Sequence, residues 1–141
     1  MFEHLAVPIQ VESQLADPIV DNIGRGSAKP YRTACKVRYR YGHHEVDVEK
    51  DFEFDGSSNP RVLWWIRGFA PWENDTKLPA LIHDWLCEHP EELPRVIADA
   101  IFCAALGGVV LNGKWVEGVG PKRRIAMYLA VRLYAMLIGK G

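Results

Sequence analysis

Residues 35–54, CKVRYRYGHHEVDVEKDFEF, alternate between apolar and charged side chains on both sides of a Gly42-His43 dipeptide. Alternation of this kind is typical of a strand with one buried face, because successive side chains point to opposite sides of a sheet. The charged side chains predicted to face outward are Lys36, Arg38 and Arg40 in the first run and include Glu45, Asp47, Glu49 and Asp51 in the second. We therefore predict an antiparallel β-hairpin over residues 33–55, with cross-strand ion pairs on its outer face.

The segments on either side of this hairpin differ in character. Residues 1–30 lack a sustained period and contain three prolines, which predicts an irregular segment with at most one short strand. The C-terminal part predicts helices at residues 79–88, 94–106 and 121–138, each with a proline in its first turn, where the missing N–H leaves no helical bond unmade. We expect one domain, residues 1–141, of the α+β class: a hairpin or small sheet packed on a three-helix unit.

Length and composition agree with a single folded domain. The chain has 141 residues, 48% of them hydrophobic and 25% charged, and a formal net charge of −1. Since nucleic-acid binders usually have a basic surplus, this balance argues against a nucleic-acid partner. The longest apolar stretch, residues 96–111, contains Asp99 and a glycine pair and is too short to predict a transmembrane segment. The acidic start of the chain predicts no signal peptide and hence synthesis in a cytoplasm.

Two charged residues are isolated in apolar surroundings. Asp99 is the one charge between residues 96 and 113, and Arg132 is the one between 125 and 138. A buried carboxylate without a partner costs several kcal/mol, so Asp99 needs a partner. The candidates are Arg132 and the His83-Asp84 dipeptide. The short connection between the first two helices favours antiparallel packing, which would place His83 and Asp99 at comparable heights.

This arrangement allows a catalytic and a structural interpretation. In the first, Asp99 orients His83 as a general base that activates water. Asp84 would then be free to hold a hard cation such as calcium, together with Asp55 and the loop that follows it, Gly56, Ser57 and Ser58. In the second, the histidine, the two aspartates and Arg132 form a buried polar network that fixes the register of the helices.

Four ordered sequence blocks resemble a family of small uncharacterised proteins encoded by tailed bacteriophages and prophages. They are Asp55-Gly56-Ser57-Ser58-Asn59-Pro60, the Leu-Ile-His-Asp-Trp-Leu block at 81–86, the Ala-Asp-Ala-Ile-Phe block at 98–102, and the Tyr-Leu-Ala-Val-Arg block at 128–132. The resemblance covers about residues 45–135. It implies a phage origin and brings no established activity.

The second and third blocks are also similar to the secreted calcium-dependent phospholipases that cleave the sn-2 ester. That resemblance implies that His83 is the base activating water, that Asp84 is a calcium ligand and that Asp99 orients His83. It implies calcium as the cofactor, with the loop from Asp55 supplying further oxygen ligands.

Two functional hypotheses follow. The first is a phage-encoded hydrolase, acting on a lipid or another ester of the host envelope. The alternative is a non-enzymatic virion protein of the tail or head, or an assembly protein, in which the cluster is structural and Asp99 pairs with Arg132. The expected partners are therefore the host envelope or phage structural proteins. The protein would be made in the host cytoplasm, and under the second hypothesis it would be carried in the virion. Regulation of the host through protein binding is a third possibility, and the oligomeric state is left open.

Overall fold

The computed structural model describes residues 8–21, 31–54 and 77–139. Within these ranges the chain contains eight strands and three helices and belongs to the α+β class, as predicted. The elements are β1 (Ile9–Ser13), β2 (Ile19–Asp21), β3 (Tyr31–Thr33), β4 (Val37–Tyr41), β5 (His44–Val48), β6 (Glu53–Phe54), α1 (Lys77–Glu88), α2 (Arg95–Leu106), β7 (Gly108–Leu111), β8 (Lys114–Glu117) and α3 (Pro121–Leu137).

The strands form two sheets. The larger has the order β5-β4-β1-β7-β8, in which β1 is antiparallel to β4 and parallel to β7. The smaller has the order β2-β3-β6 and is antiparallel throughout. One apolar cluster joins buried residues of both sheets with α1 and α2, so the two sheets and these two helices share a core.

The predicted hairpin is confirmed as β4 and β5, which meet at the Gly42-His43 turn. Arg38 lies opposite Asp47, and their Nε and Oδ1 atoms are 2.9 Å apart; Arg40 lies opposite Glu45, with Nε and Oε2 at 3.1 Å. Exposed ion pairs contribute little to stability, so the buried face fixes the register. The second run, predicted as one strand, forms two: β5 ends at Val48, the chain turns, and β6 pairs in the smaller sheet.

Five strands lie where the sequence predicted none or at most one, and one of them is β3, which ends where the predicted hairpin begins. β1 and β2 lie within the segment expected to be irregular, and β7 and β8 form a hairpin after α2. The β7–β8 turn consists of Asn112 and Gly113, whose φ angles of 51° and 83° are those of a type I′ turn. The central strand β1 is held by partners distant in sequence, so its own pattern does not reveal it.

The helices match the prediction to within two residues. α1 begins at Lys77 rather than at 79, α2 begins one residue after Pro94, and α3 ends at Leu137. α2 packs against α1 on one side and against α3 on the other. A second apolar cluster, Phe102, Leu106, Met127 and Val131, joins α2 to α3. Within the described ranges, none of the helices combines the length and the apolar character needed to span a bilayer.

Candidate active site

His83 lies on a helix that is firmly attached to the larger sheet. The Tyr39 hydroxyl on β4 donates to the backbone oxygen of Leu78 at 2.7 Å, and the Trp85 indole N–H donates to Glu49 Oε2 at 3.0 Å. The side chain of His83 between these two anchors is 1% exposed. Its ring is therefore held by the packing of α1 rather than by a surface loop.

The imidazole of His83 meets the carboxylate of Asp99 across the α1–α2 pair. Nε2 of His83 and Oδ1 of Asp99 are 2.5 Å apart, and the Asp99 side chain is fully buried. The contact expected from the antiparallel hairpin is present. This hydrogen bond to one ring nitrogen fixes both the orientation of the His83 ring and the position of its proton.

Asp99 has two further donors. Arg132 of α3 donates from Nη1 to Oδ2 at 2.7 Å, and Arg95, one turn earlier on α2, donates from Nε to Oδ1 at 3.1 Å. Both partners considered for Asp99 are thus present together, and Arg95 is a third that the sequence reasoning missed. The i,i+4 spacing of Arg95 and Asp99 on one helix was the available signal.

The electrostatics of the cluster favour its charged forms. Burial acts to lower the pKa of His83, but the hydrogen bond that the ring donates to Asp99 and the contact with Cys87 outweigh it and raise the pKa to about 9. Burial acts to raise the pKa of Asp99, yet the hydrogen bonds from His83, Arg132 and Arg95 hold it below its ordinary value. At neutral pH the site therefore contains an imidazolium beside a carboxylate that two guanidinium groups also bind.

The other ring nitrogen, Nδ1, determines whether His83 can act as a base. The Cys87 thiol lies one turn along α1, with Sγ 3.9 Å from Nδ1 and 3.8 Å from Nε2, within the hydrogen-bonding range of sulfur for either nitrogen. The Phe102 ring packs against the imidazole with its centroid 4.7 Å away. Once deprotonated, a ring whose Nε2–H is bound by Asp99 has its acceptor lone pair on Nδ1.

The predicted calcium ligands are described only in part. Asp84 is a partly buried residue of α1, adjacent to His83. Asp55, Gly56, Ser57 and Ser58 lie outside the described residues, as does the rest of that loop. The described residues contain no group of three or more histidines, cysteines, aspartates or glutamates placed to hold a metal ion. Calcium binding therefore stays a prediction.

One cleft on the described surface lies away from this cluster. It has a volume of about 520 Å³ and is lined by Glu12, Ser13, Gln14, Lys36, Arg38 and Asn112. These residues border strands of the larger sheet and include none of the predicted site residues. We therefore centre the candidate site on the His83–Asp99 contact.

Comparison with known proteins gives a family and no activity. A family model described as "Protein of unknown function (DUF1353)" matches residues 32–131, a range that includes His83, Asp84 and Asp99. No curated protein and no solved structure matches the chain.

Proposed function

Because the chain belongs to the DUF1353 family of proteins of unknown function, we infer its role from the site, and propose that it is a hydrolase in which His83 activates water. The observation that supports this proposal is the buried hydrogen bond between His83 Nε2 and Asp99 Oδ1. A histidine oriented by a carboxylate is a recurrent general base, and its orientation accounts for much of its efficiency.

The substrate class we propose is a carboxylic ester, most simply a lipid of a bacterial envelope met by a phage. The neutral form of His83, whose share grows as the pH rises towards its pKa of about 9, accepts a proton from water at Nδ1 while the water oxygen bonds to the ester carbonyl carbon. The acyl–oxygen bond then breaks, and the imidazolium returns the proton to the leaving alkoxide. Asp99 keeps the ring in place throughout, and Arg95 and Arg132 hold Asp99 in its ionised form.

Calcium is an optional part of this proposal. When bound, it would polarise the ester carbonyl and stabilise the negative charge that develops on its oxygen. The described part of the predicted site supplies one carboxylate, Asp84, beside the base. The proton transfers above involve only His83 and Asp99 and do not depend on the ion.

The decisive experiment compares His83→Gln with His43→Gln on ester and phospholipid substrates. His43 is an exposed turn residue, so its variant controls for the loss of one histidine. Loss of a general base should lower the hydrolysis rate by about 10²- to 10⁴-fold, whereas the control should match the wild type. Circular dichroism establishes that both variants are folded. Wild-type protein that cleaves no ester, lipid or peptidoglycan substrate, or a fully active His83→Gln variant, would refute the proposal.

The second candidate is a non-enzymatic virion or assembly protein. It is favoured by the burial of the cluster and by its internal hydrogen bonds. His83 is 1% exposed, and Asp99 accepts hydrogen bonds from three side chains. In that role the four side chains would hold α1, α2 and α3 in register. It predicts that the protein co-purifies with phage particles in multiple copies and that His83→Gln changes stability with no hydrolytic activity to lose. Wild-type hydrolysis that depends on His83 would exclude this alternative.

A further inference from the structure

α3 has two apolar faces, of which one is used by the fold. Met127, Val131 and Ala135 are buried against the rest of the domain. The other face consists of five aliphatic residues that are each more than half exposed: Ile125, Leu129, Leu133, Met136 and Leu137. At 100° per residue these five occupy one continuous arc of the helix, roughly opposite the buried face. We refer to them as the α3 stripe.

A contiguous stripe of this kind is uncommon on a protein that is free in water. Single exposed apolar residues are normal, whereas a connected patch marks a surface that meets a protein, a ligand or a membrane. All five residues of the α3 stripe are aliphatic. Protein interfaces, by contrast, concentrate tyrosine, tryptophan and arginine at their centres.

The charges of α3 indicate the chemistry of what it meets. The helix contains Lys122, Arg123, Arg124 and Arg132 and no acidic residue. Three of these cations occupy the first turn, where the helix dipole disfavours positive charge. Arg124 donates from Nε to the backbone oxygen of Cys103 at 2.8 Å and Arg132 donates to Asp99, so the fold holds both guanidinium groups. The exposed Lys122 and the partly exposed Arg123 lie next to Ile125, at the start of the stripe. A second copy of this helix would supply no carboxylate to neutralise them.

We propose that the α3 stripe binds the surface of an anionic lipid bilayer. In this arrangement α3 lies parallel to the membrane, its aliphatic residues enter the boundary between headgroups and acyl chains, and Lys122 and Arg123 lie at the level of the lipid phosphates. With 17 residues and four cations, α3 lies on the bilayer and does not cross it.

The α3 stripe adjoins the candidate site. Arg132 lies three residues after Leu129 and four before Met136, which places it at the border of the stripe. Its guanidinium donates to Asp99, the residue that binds His83. The stripe and the site are therefore joined through Arg132. This step rests on the proposed function, and it assigns the substrate to the phospholipids of the bound bilayer. Membrane binding itself requires no catalysis and can be measured separately.

Cosedimentation of the full chain with lipid vesicles tests the proposal. The probes are vesicles of phosphatidylglycerol with phosphatidylcholine and vesicles of phosphatidylcholine alone. The disrupting variant is Leu129→Glu with Leu133→Glu; both positions are more than half exposed, so the fold should be retained. The matched control, Gln14→Glu with Leu15→Glu, makes the same change in charge at exposed positions after β1. Should the double variant fail to fold, Leu133→Glu alone replaces it.

We expect the wild type to bind the anionic vesicles at least tenfold more tightly than the neutral ones. The stripe variant should lose at least tenfold in affinity, while the control and His83→Gln should bind as the wild type does. Wild-type protein that binds vesicles but hydrolyses no lipid would refute the proposed hydrolase activity and would not contradict the proposed membrane binding. Unchanged binding by the stripe variant, or no binding by the wild type, would overturn it. So would a wild-type dimer in sedimentation velocity that the stripe variant abolishes, because the stripe would then belong to a second copy.

Discussion

Raising the pH from 6 to 9.5 should remove the stabilisation that His83 provides. In the unfolded chain this histidine titrates near its ordinary pKa of 6.5, and in the folded protein its pKa is about 9. The stabilisation is therefore complete below pH 6.5, declines as the pH rises towards 9, and is absent above that value. At about 1.4 kcal/mol per pH unit, the gap between the two pKa values corresponds to a loss of about 3 kcal/mol.

Urea unfolding followed by tryptophan fluorescence at pH 6.5, 7.5, 8.5 and 9.5 measures this loss. His83→Gln removes the titrating group, so the difference between its curve and that of the wild type isolates the contribution of His83. Cys87→Ser is the second control, because Cys87 Sγ lies within 3.9 Å of both ring nitrogens and contributes to the raised pKa of His83. If the wild type and His83→Gln lose equal stability between pH 6.5 and 9.5, then Asp99 does not hold His83 in its protonated form, and our account of the cluster is wrong.

Three further predictions concern Asp99, two glycines of the β7–β8 hairpin and the calcium site. Asp99→Asn leaves three donors facing a neutral amide and should lower the free energy of unfolding by about 3–5 kcal/mol in urea titrations; a loss below about 1 kcal/mol would contradict the buried network. Gly108→Ala should cost more than about 2 kcal/mol, because φ there is 127° and a Cβ would lie 2.3 Å from the Trp115 ring. Gly113→Ala should cost about 1 kcal/mol, because φ there is 83° but no described atom lies within 4 Å of the added Cβ. Equal decreases in melting temperature for the two variants would refute the steric argument. If calcium binds the folded state alone, a concentration about 100 times its Kd should add about 2.7 kcal/mol of stability, and Asp84→Asn should abolish the rise in melting temperature; no rise at millimolar calcium would count against the metal site.

The parts of the fold that could be predicted are those whose local pattern agrees with their final environment. The β4–β5 hairpin alternates because one of its faces is buried, and the helices begin near prolines that fit a first turn. β1 has the same length and burial pattern as β4, but it alternates over five residues alone and depends on pairing with β4 and β7, which are distant in sequence. β2 has three residues, too few for a repeating pattern. The β7–β8 hairpin was a true omission, since Asn112-Gly113 between apolar runs is a strong local turn signal.

The main contacts of the candidate site could also be predicted from the sequence. A carboxylate isolated in an apolar helix needs a partner, and in the sequence this requirement points from Asp99 to His83 and Arg132. It could not reveal that all three side chains meet at once, because that depends on how α3 crosses α2. Arg95 was missed because an arginine at a helix start is usually a solvent-exposed residue, and only the structure shows its guanidinium bound to a buried carboxylate.

The central position of β1 has a consequence for how the chain folds. Its two edges are occupied by β4 and by β7, and the Ser13 amide is bound by the Asn112 side chain, 99 residues further along the chain. During synthesis, therefore, β1 and the hairpin leave the ribosome long before β7 exists, and one edge of β1 stays unpaired until then. Closing so long a loop is slow, and an unpaired edge can join another chain in the meantime. We expect fragments that end before β7 to aggregate, and the intact domain to acquire its larger sheet late in folding, after α2 has formed.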